Sequence, residues 1–187
     1  MSEPILNSSN NRHTLFPIKH VDLFDLYRKQ VECFWDVTEI DFTKDRDIFE
    51  KLSSDEQFFI KHILAFFAAS DGVVMENLIS NFLNEVTLPE ARACYSIQCF
   101  MENVHSHTYS LLIDTIVRDE LEKDKLFNAV NYFPAIKRKN DWALKWIGDL
   151  TKSFGSRLVG FACVEAIMFS GSFCSIYWLK NRNVNMN

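Results

Sequence analysis

Apolar residues recur every three or four positions along most of the chain, which is the spacing that places them on one face of an α-helix. The pattern predicts long helices over residues 21–35, 53–83, 89–117 and 156–181. Two shorter helices are predicted between residues 119 and 149, one that is broken near Pro134 and one in the stretch DWALKWIGDL from residue 141. Ser53 followed by Glu56, and Thr87 followed by Glu90, have the spacing of capping boxes at two predicted helix starts. No stretch alternates with the period of two that a half-buried strand requires, so the predicted fold is all-α.

One stretch, CFMENVHSHTYSLLID at residues 99–114, carries a carboxylate, an imidazole and a phenol on an apolar helical pattern. Glu102 and His105 lie three positions apart and His105 and Tyr109 four apart, so the three side chains share one face of the helix. His107 is turned away from that face. An acid and a histidine that both face inward must be paired, neutralised or bound to a cation. On this spacing alone, a core histidine satisfied by the neighbouring glutamate is the default interpretation.

Two other acids favour a metal site. Asp71 lies in the apolar run 62–83, where the only other charge is Glu76, and Glu165 is the only charge in the run 158–179. Acids seldom lie inside a protein without a partner. Three apolar helices that each carry an inward-facing carboxylate, one of them with a histidine, supply the ligands that suit an iron or manganese pair. The sequence therefore predicts a metal site formed by Asp71, Glu102, His105 and Glu165.

Length and composition fit one domain, because 187 residues that are 48% hydrophobic can bury a substantial core. The net charge of −5 and the scattered basic residues do not indicate nucleic-acid binding. Five cysteines without a Cys-x-x-Cys pair and a polar start without a secretory signal lead us to expect a cytoplasmic protein. Residues 1–19, which contain Pro4 and Pro17 and no sustained period, predict an extended arm ahead of a helical domain over residues 20–187.

The apolar run 158–179 is also long enough to cross a bilayer, and basic residues flank it. We expect no membrane insertion, because Glu165 near the middle of a lone span would be costly and Ser, Gly and Cys dilute its hydrophobicity. A central helix buried on all sides has the same pattern, and this is the interpretation that we prefer.

The ordered blocks FPIKH, CFW, AFFAASDG, MENVHSHTYSLLID, DWALKWIGD and VEAIMFSGSF resemble the radical-bearing small subunit of class I ribonucleotide reductase, in its eukaryotic and viral branch. The resemblance extends from about residue 3 to residue 182. It implies a ferritin-like helical bundle that houses two iron ions, with manganese as an alternative. It also implies a homodimer that associates with a large subunit, where ribonucleoside diphosphates are reduced to deoxyribonucleotides.

The resemblance assigns roles to individual residues. Asp71, Glu102 and His105 resemble the ligands of the first iron together with a bridging glutamate, and Glu165 resembles a carboxylate ligand of the second iron. The residues expected to form, shield and transmit the radical are Tyr109 as its site, Phe169 and Phe173 as its apolar pocket, and Trp35 as the relay to the large subunit. From position alone, Trp35 is a packing residue, so the resemblance changes its interpretation.

The sequence departs from the family pattern in one respect that affects function. The family's second Glu-x-x-His is expected after Glu165, yet no acid follows Glu165 and no histidine follows His107. We interpret the sequence as an incomplete copy of a longer subunit, truncated before that motif. We therefore expect this form to bind at most one metal well and to form little tyrosyl radical.

Two other functions remain open from the sequence. One is a di-iron oxygenase on the same bundle, which would need neither Tyr109 nor Trp35. The other is a catalytically inactive helical fragment that serves as an interaction protein and binds no metal.

Overall fold

The computed structural model describes residues 3–181, and helices account for most of that length. The α-helices of this part of the chain are α1 Val21–Glu32, α2 Asp45–Phe49, α3 Ser54–Asn77, α4 Leu83–Glu85, α5 Pro89–Ile116, α6 Glu120–Phe127, α7 Ala129–Tyr132, α8 Pro134–Ile147, α9 Phe154–Cys163 and α10 Phe169–Asn181. Short 3₁₀ turns occupy Pro4–Leu6, Ser8–Asn10 and Val37–Glu39. Residues 3–181 contain no strand, which confirms the predicted all-α fold.

The two longest helices, α3 and α5, pack against each other at the centre of the fold. Helix α1 also packs along α5, α8 contacts both α3 and α9, and α10 contacts α3. Side chains that are completely or almost completely buried between these elements include Phe67, Leu78, Phe82 and Ile113. The core therefore lies along the α3–α5 contact, which is also where the predicted site residues of these two helices are found.

The start of α3 follows the predicted capping box. The Ser53 side chain accepts a hydrogen bond from the Glu56 amide, and the Glu56 carboxylate accepts one from the Ser53 amide. The capping box predicted for α5 is wrong. Leu88 is the N-cap of α5 and makes no side-chain cap, because Thr87 and Glu90 bond to the N-terminal arm instead.

Pro134 begins a helix. The predicted break near Pro134 is present, since α7 ends at Tyr132, but the second helix begins earlier than predicted: α8 runs from Pro134 to Ile147 and not only from residue 141. Proline suits the first turn of a helix because its fixed φ is helical and its missing N–H is not needed there.

Two of the predicted long helices contain a π-helical segment. Leu78–Phe82 joins α3 to α4, and Val164–Met168 joins α9 to α10. A π turn replaces the usual i→i+4 hydrogen bonds by i→i+5 bonds and locally widens the helix, and such segments are frequent at functional sites. Glu165 lies inside the second segment, so the acid of that helix sits on a locally widened backbone.

Helix α10 is not the central helix that the sequence predicted. Large apolar side chains of this region remain exposed, among them Ile167, Tyr177 and Trp178. The reason is that the described neighbours cover only part of its circumference. By length and hydropathy, Ser54–Glu85 and Phe154–Asn181 could each cross a membrane, a test that core helices also pass; 50% and 22% of their respective windows are buried.

The arm predicted over residues 1–19 is folded onto the helices in its described part. Near its start, Ile5 accepts hydrogen bonds from the amide and the hydroxyl of Thr87, and Glu3 accepts one from the amide of Gly155 in the first turn of α9. The arm therefore connects the beginnings of α5 and α9. Residues 1–2 and 182–187, which belong to the predicted arm and domain, lie outside the described residues.

The side chain of Glu90 holds the second half of the arm against the start of α5. Its buried carboxylate accepts hydrogen bonds from the Arg12 guanidinium at 2.6 Å and from the Lys19 amide at 2.8 Å. Burial alone would raise the pKa of the Glu90 carboxyl, but the bonds from Lys19, Arg12 and His20 lower it to about 2. An ionised Glu90 is thus part of the folded state at neutral pH.

We predict that Glu90→Gln lowers the free energy of unfolding at pH 7 by about 2–4 kcal/mol, because a buried charged acceptor is lost. The folded-state pKa of Glu90 lies below its ordinary value of 4.5. Its contribution is therefore present above pH 4.5 and disappears as the pH falls towards 2. Urea unfolding at several pH values measures both effects.

The matched control is Glu32→Gln, which removes only an exposed ion pair with Arg28 and should change stability little. Identical unfolding curves for the wild type and Glu90→Gln would contradict the proposed anchoring of the arm.

Candidate metal centre

Helices α3 and α5 bring together three of the four predicted metal ligands. Asp71 lies in the interior of α3, and Glu102 and His105 lie three residues apart on α5. One ligand atom from each of these residues lies within 4.8 Å of the others. Asp71 and Glu102 are buried and His105 is half-buried. The face of α5 that carries Glu102 and His105 is therefore directed at Asp71 on α3.

His105 and Glu102 also contact each other, since His105 Nδ1 lies 3.2 Å from Glu102 Oε2. The hydrogen bond with Glu102 is the largest cause of the raised pKa of His105, and the charges of Asp71 and Glu165 raise it further against the effect of burial. This is the pairing expected of a core histidine, so the Glu-x-x-His pair alone does not distinguish a metal site from a structural pair.

Asp71 and Glu165 supply that distinction. The buried atoms Asp71 Oδ2 and Glu165 Oε1 have no hydrogen-bond partner among residues 3–181. Glu165 is outside the close group of three, but its charge influences both Asp71 and His105. Glu90 Oε2 in the arm contact also has no donor, so a missing donor alone does not identify a metal site. The distinguishing feature is that Asp71 and Glu165 interact within one cluster of ligand-type side chains, which a bound ion would explain.

Burial also perturbs the titration of these two acids. Desolvation, helped by the charges of Glu102 and Glu165, raises the pKa of Asp71 to about 8. Desolvation and the charge of Glu102 raise the pKa of Glu165 to about 7. In the absence of a metal, protons therefore neutralise part of the cluster at neutral pH. A cation can take the place of those protons.

Carboxylate oxygens and an imidazole nitrogen are ligands that iron and manganese accept. Sites of this kind are built in the cores of helical bundles from side chains on facing helices. Asp71, Glu102 and His105, with Glu165 nearby, have this composition and location. The fold and the site together define the class of the protein, which is a helical bundle with a carboxylate–histidine candidate metal site in its core.

Tyr109 lies one turn beyond His105 on α5, with 6.5 Å between the two ring centroids. Burial raises the pKa of the Tyr109 phenol, and the charges of Asp71 and Glu102 raise it further. Tyr109 is therefore a neutral phenol at physiological pH, next to the candidate metal ligands.

Phe67 is the aromatic residue that contacts Tyr109 directly, with the rings stacked at 4.9 Å. The two phenylalanines predicted to shield Tyr109 pack on the same Phe67 ring, Phe169 at 5.6 Å and Phe173 at 4.8 Å. Phe169 is buried, whereas Phe173 is 41% exposed. Sequence reasoning missed Phe67, although its position four residues before Asp71 on α3 places both on one helix face.

Trp35 lies in the loop after α1, against the ring of His105, with 5.8 Å between the ring centroids. The side chain is half-buried, and the contact joins it to a predicted metal ligand. All eight residues predicted for the site therefore gather in one region of the fold.

The chain matches the family model of the ribonucleotide reductase small chain over residues 12–187, and it belongs to this family. The small subunit of ribonucleoside-diphosphate reductase from Plasmodium falciparum is 54% identical over 179 residues, and the small chain from Variola virus is 53% identical over 182 residues. These matches confirm the predicted family and do not favour the oxygenase or the inactive interaction protein.

A solved structure extends the comparison to the fold. The ribonucleotide reductase Rnr4 homodimer from Saccharomyces cerevisiae has a TM-score of 0.83 and 32% sequence identity over 94% of this chain. The ferritin-like helical fold predicted from the resemblance is confirmed. This chain covers 55% of the yeast structure and 55% and 57% of the Plasmodium and Variola proteins, so it spans about half the length of these relatives.

We predict that Asp71→Asn stabilises the metal-free protein at pH 8 by about 1–3 kcal/mol while it removes a metal ligand. The folded-state pKa of Asp71 lies above its ordinary value of 3.8, so folding retains a proton that the unfolded chain releases. The stability of the metal-free wild type should therefore fall as the pH rises from about 4 to about 8. Chemical unfolding of both forms in the presence of a chelator measures this difference.

Glu76→Gln on the same helix is the control, because the Glu76 side chain is exposed to solvent. A lower stability of Asp71→Asn than of the wild type at pH 8 would show that Asp71 is a satisfied structural residue.

Proposed function

We propose that this chain forms the metal-binding and radical-bearing core of a class I ribonucleotide reductase small subunit. The observation that carries the proposal is the convergence of Asp71, Glu102 and His105 beside Tyr109, in a chain of the small-chain family. Tyr109 stores the oxidant as a radical. The large subunit uses that oxidant to reduce ribonucleoside diphosphates to deoxyribonucleotides.

The proposed cofactor of the whole small subunit is a pair of iron or manganese ions, of which this chain by itself would bind one well. Asp71, Glu102 and His105 hold the first ion and Glu165 contributes to the second. The unpartnered oxygens of Asp71 and Glu165 support this assignment, because they are acceptors that the protein itself leaves unused. When bound, the ions supply the oxidising power that removes one electron from a neighbouring phenol.

In the proposed function Tyr109 would lose a proton as well as an electron, since its raised pKa keeps the phenol protonated. The electron would go to the metal pair once dioxygen has oxidised it, and the proton would go to a neighbouring carboxylate. Asp71 and Glu102 are the acids whose charges act on that proton. Phe67, with Phe169 and Phe173 packed against it, covers one face of the Tyr109 ring and limits the access of water and reductants from that side. A long-lived radical depends on this apolar layer.

Trp35 is the proposed relay between the site and the large subunit. Its indole lies against the ring of the half-buried His105, and its loop lies at the surface of the bundle. A half-buried aromatic ring in contact with a proposed metal ligand is well placed to pass an electron between the site and the protein surface. We also propose that small subunits pair as homodimers and meet the large subunit in the cytoplasm.

We predict that the chain binds Mn(II) and that His105→Ala weakens this binding at least tenfold, because one nitrogen ligand is lost. Calorimetric titration at pH 7.5 measures the affinity and the stoichiometry. Binding should weaken as the pH falls below the pKa values of about 8 for Asp71 and about 7 for Glu165, since protons then compete for the same oxygens.

His107→Ala is the control, because His107 lies on the same helix but is exposed. Equal affinities for the His105 and His107 variants, or no Mn(II) binding by the wild type, would refute the proposed metal site.

The role of Tyr109 can be tested in a chimeric small subunit, in which residues 1–181 precede the remaining part of the Plasmodium relative. We predict that Tyr109→Phe abolishes the tyrosyl radical signal in electron paramagnetic resonance while the iron content stays unchanged. Phenylalanine keeps the ring that stacks on Phe67 and removes only the oxidisable hydroxyl.

Tyr95→Phe, which alters another half-buried tyrosine of α5, is the matched control and should keep the signal. A radical that persists in Tyr109→Phe would assign the radical to another residue.

A further inference from the structure

Lys139 of α8 reaches across to the π-helical segment that carries Glu165. Its ammonium Nζ donates a hydrogen bond to the backbone carbonyl of Met168 at 3.0 Å. Met168 is the last residue of the segment Val164–Met168. Where a π turn meets an α-helix the regular hydrogen-bond ladder is interrupted. Lys139 donates to a carbonyl at that junction.

The surroundings of Lys139 are unusual for a lysine. The side chain is half-buried, its Nζ lies 3.9 Å from the centroid of the Phe66 ring, and burial lowers its pKa. In the part of the chain that the structure describes, Lys139 makes no ion pair, whereas Lys137 on the same helix pairs with Asp141 at the surface. An ammonium group that is partly removed from water and contacts a carbonyl and an aromatic face stabilises the local structure, whereas an exposed lysine mainly contributes to solubility.

Lys139 and Phe66 contact two adjacent residues, Met168 and Phe169, at the point where the π-helical segment joins α10. The Phe66 ring packs on Phe169 at 5.2 Å, and Phe169 follows Met168 directly. Phe66 belongs to α3, five residues before Asp71, so the same contacts connect the α3 acid to the segment with Glu165. A cavity of about 10 Å³ lined by Phe66, Lys139 and Met168 shows how closely these elements meet.

We propose that Lys139 is a positioning residue, which holds the π-helical segment Val164–Met168 in place so that Glu165 faces Asp71 and Glu102. The part of this inference that concerns metal binding rests on the proposed function. The backbone restraint itself does not, because it concerns contacts that form without a metal. The ammonium acts on Glu165 only through the Met168 carbonyl.

The test compares Lys139→Met, Lys139→Arg and Lys137→Met in the complete chain. Methionine keeps an unbranched chain over Phe66 but has no donor, arginine keeps a cationic donor, and Lys137→Met removes an exposed charge from the same helix. Peptide-resolved amide hydrogen exchange, measured without metal, shows how well the backbone of residues 164–172 is protected. Peptides from α5 in the same experiment show whether the global stability has changed. Calorimetric titration with Mn(II) reports the consequence for the site.

In Lys139→Met, amides of residues 164–172 should exchange about tenfold faster while those of α5 are unchanged, because a charge-assisted hydrogen bond is lost locally. The Mn(II) affinity should fall about tenfold, as it does when groups that orient metal ligands are removed. Lys139→Arg should restore both quantities, and Lys137→Met should resemble the wild type.

Exchange over residues 164–172 that is unchanged in Lys139→Met, or changed equally in Lys137→Met, would overturn the proposal. Faster exchange spread equally over α5 would also overturn it, since Lys139 would then support overall stability only. If the wild type binds no Mn(II), the proposed function fails, and the metal-free exchange comparison still decides the role of Lys139.

Discussion

The structure depends on how a buried cluster of acids is neutralised. Asp71 and Glu102 face each other across the contact between α3 and α5, and Glu165 is close enough that its charge raises the pKa of Asp71 and that the charge of Glu102 raises its own. Their mutual repulsion and desolvation disfavour the charged forms, and one imidazole cannot compensate three carboxylates. Either protons or cations must be present for the two long helices to pack in this way. The same constraint that makes the bundle difficult to assemble therefore prepares it to accept metal.

The apolar side of the site follows from the same helices. Phe67 lies one turn before Asp71, so the helix that contributes an acid also contributes the ring stacked on Tyr109. On α3, a candidate metal ligand and a ring of the aromatic layer thus lie one turn apart instead of in separate layers. A substitution in one set will disturb the other, because both are held by the same backbone.

Local signals were sufficient to predict much of this arrangement. The Ser53 cap, the start of α5 at Pro89 and the common face of Glu102, His105 and Tyr109 all follow from spacings of three or four residues. Long-range contacts were not predictable in that way. Glu90 accepts a hydrogen bond from an arm residue more than 70 positions earlier in the chain. The Met168 carbonyl, at the end of the π-helical segment that carries Glu165, accepts one from Lys139 of another helix. The roles of Trp35 and Phe173 came from family resemblance, since periodicity indicates packing and not electron transfer.

The anchoring of the arm has a consequence for the order in which the molecule forms. Arg12 and Lys19 bond to a side chain that lies 78 and 71 positions later in the chain. Contacts of such separation close late, because the intervening loop must first lose its entropy. During synthesis, the arm therefore leaves the ribosome well before the contacts that secure it can form. Until α5 has emerged, that segment is available to chaperones and proteases.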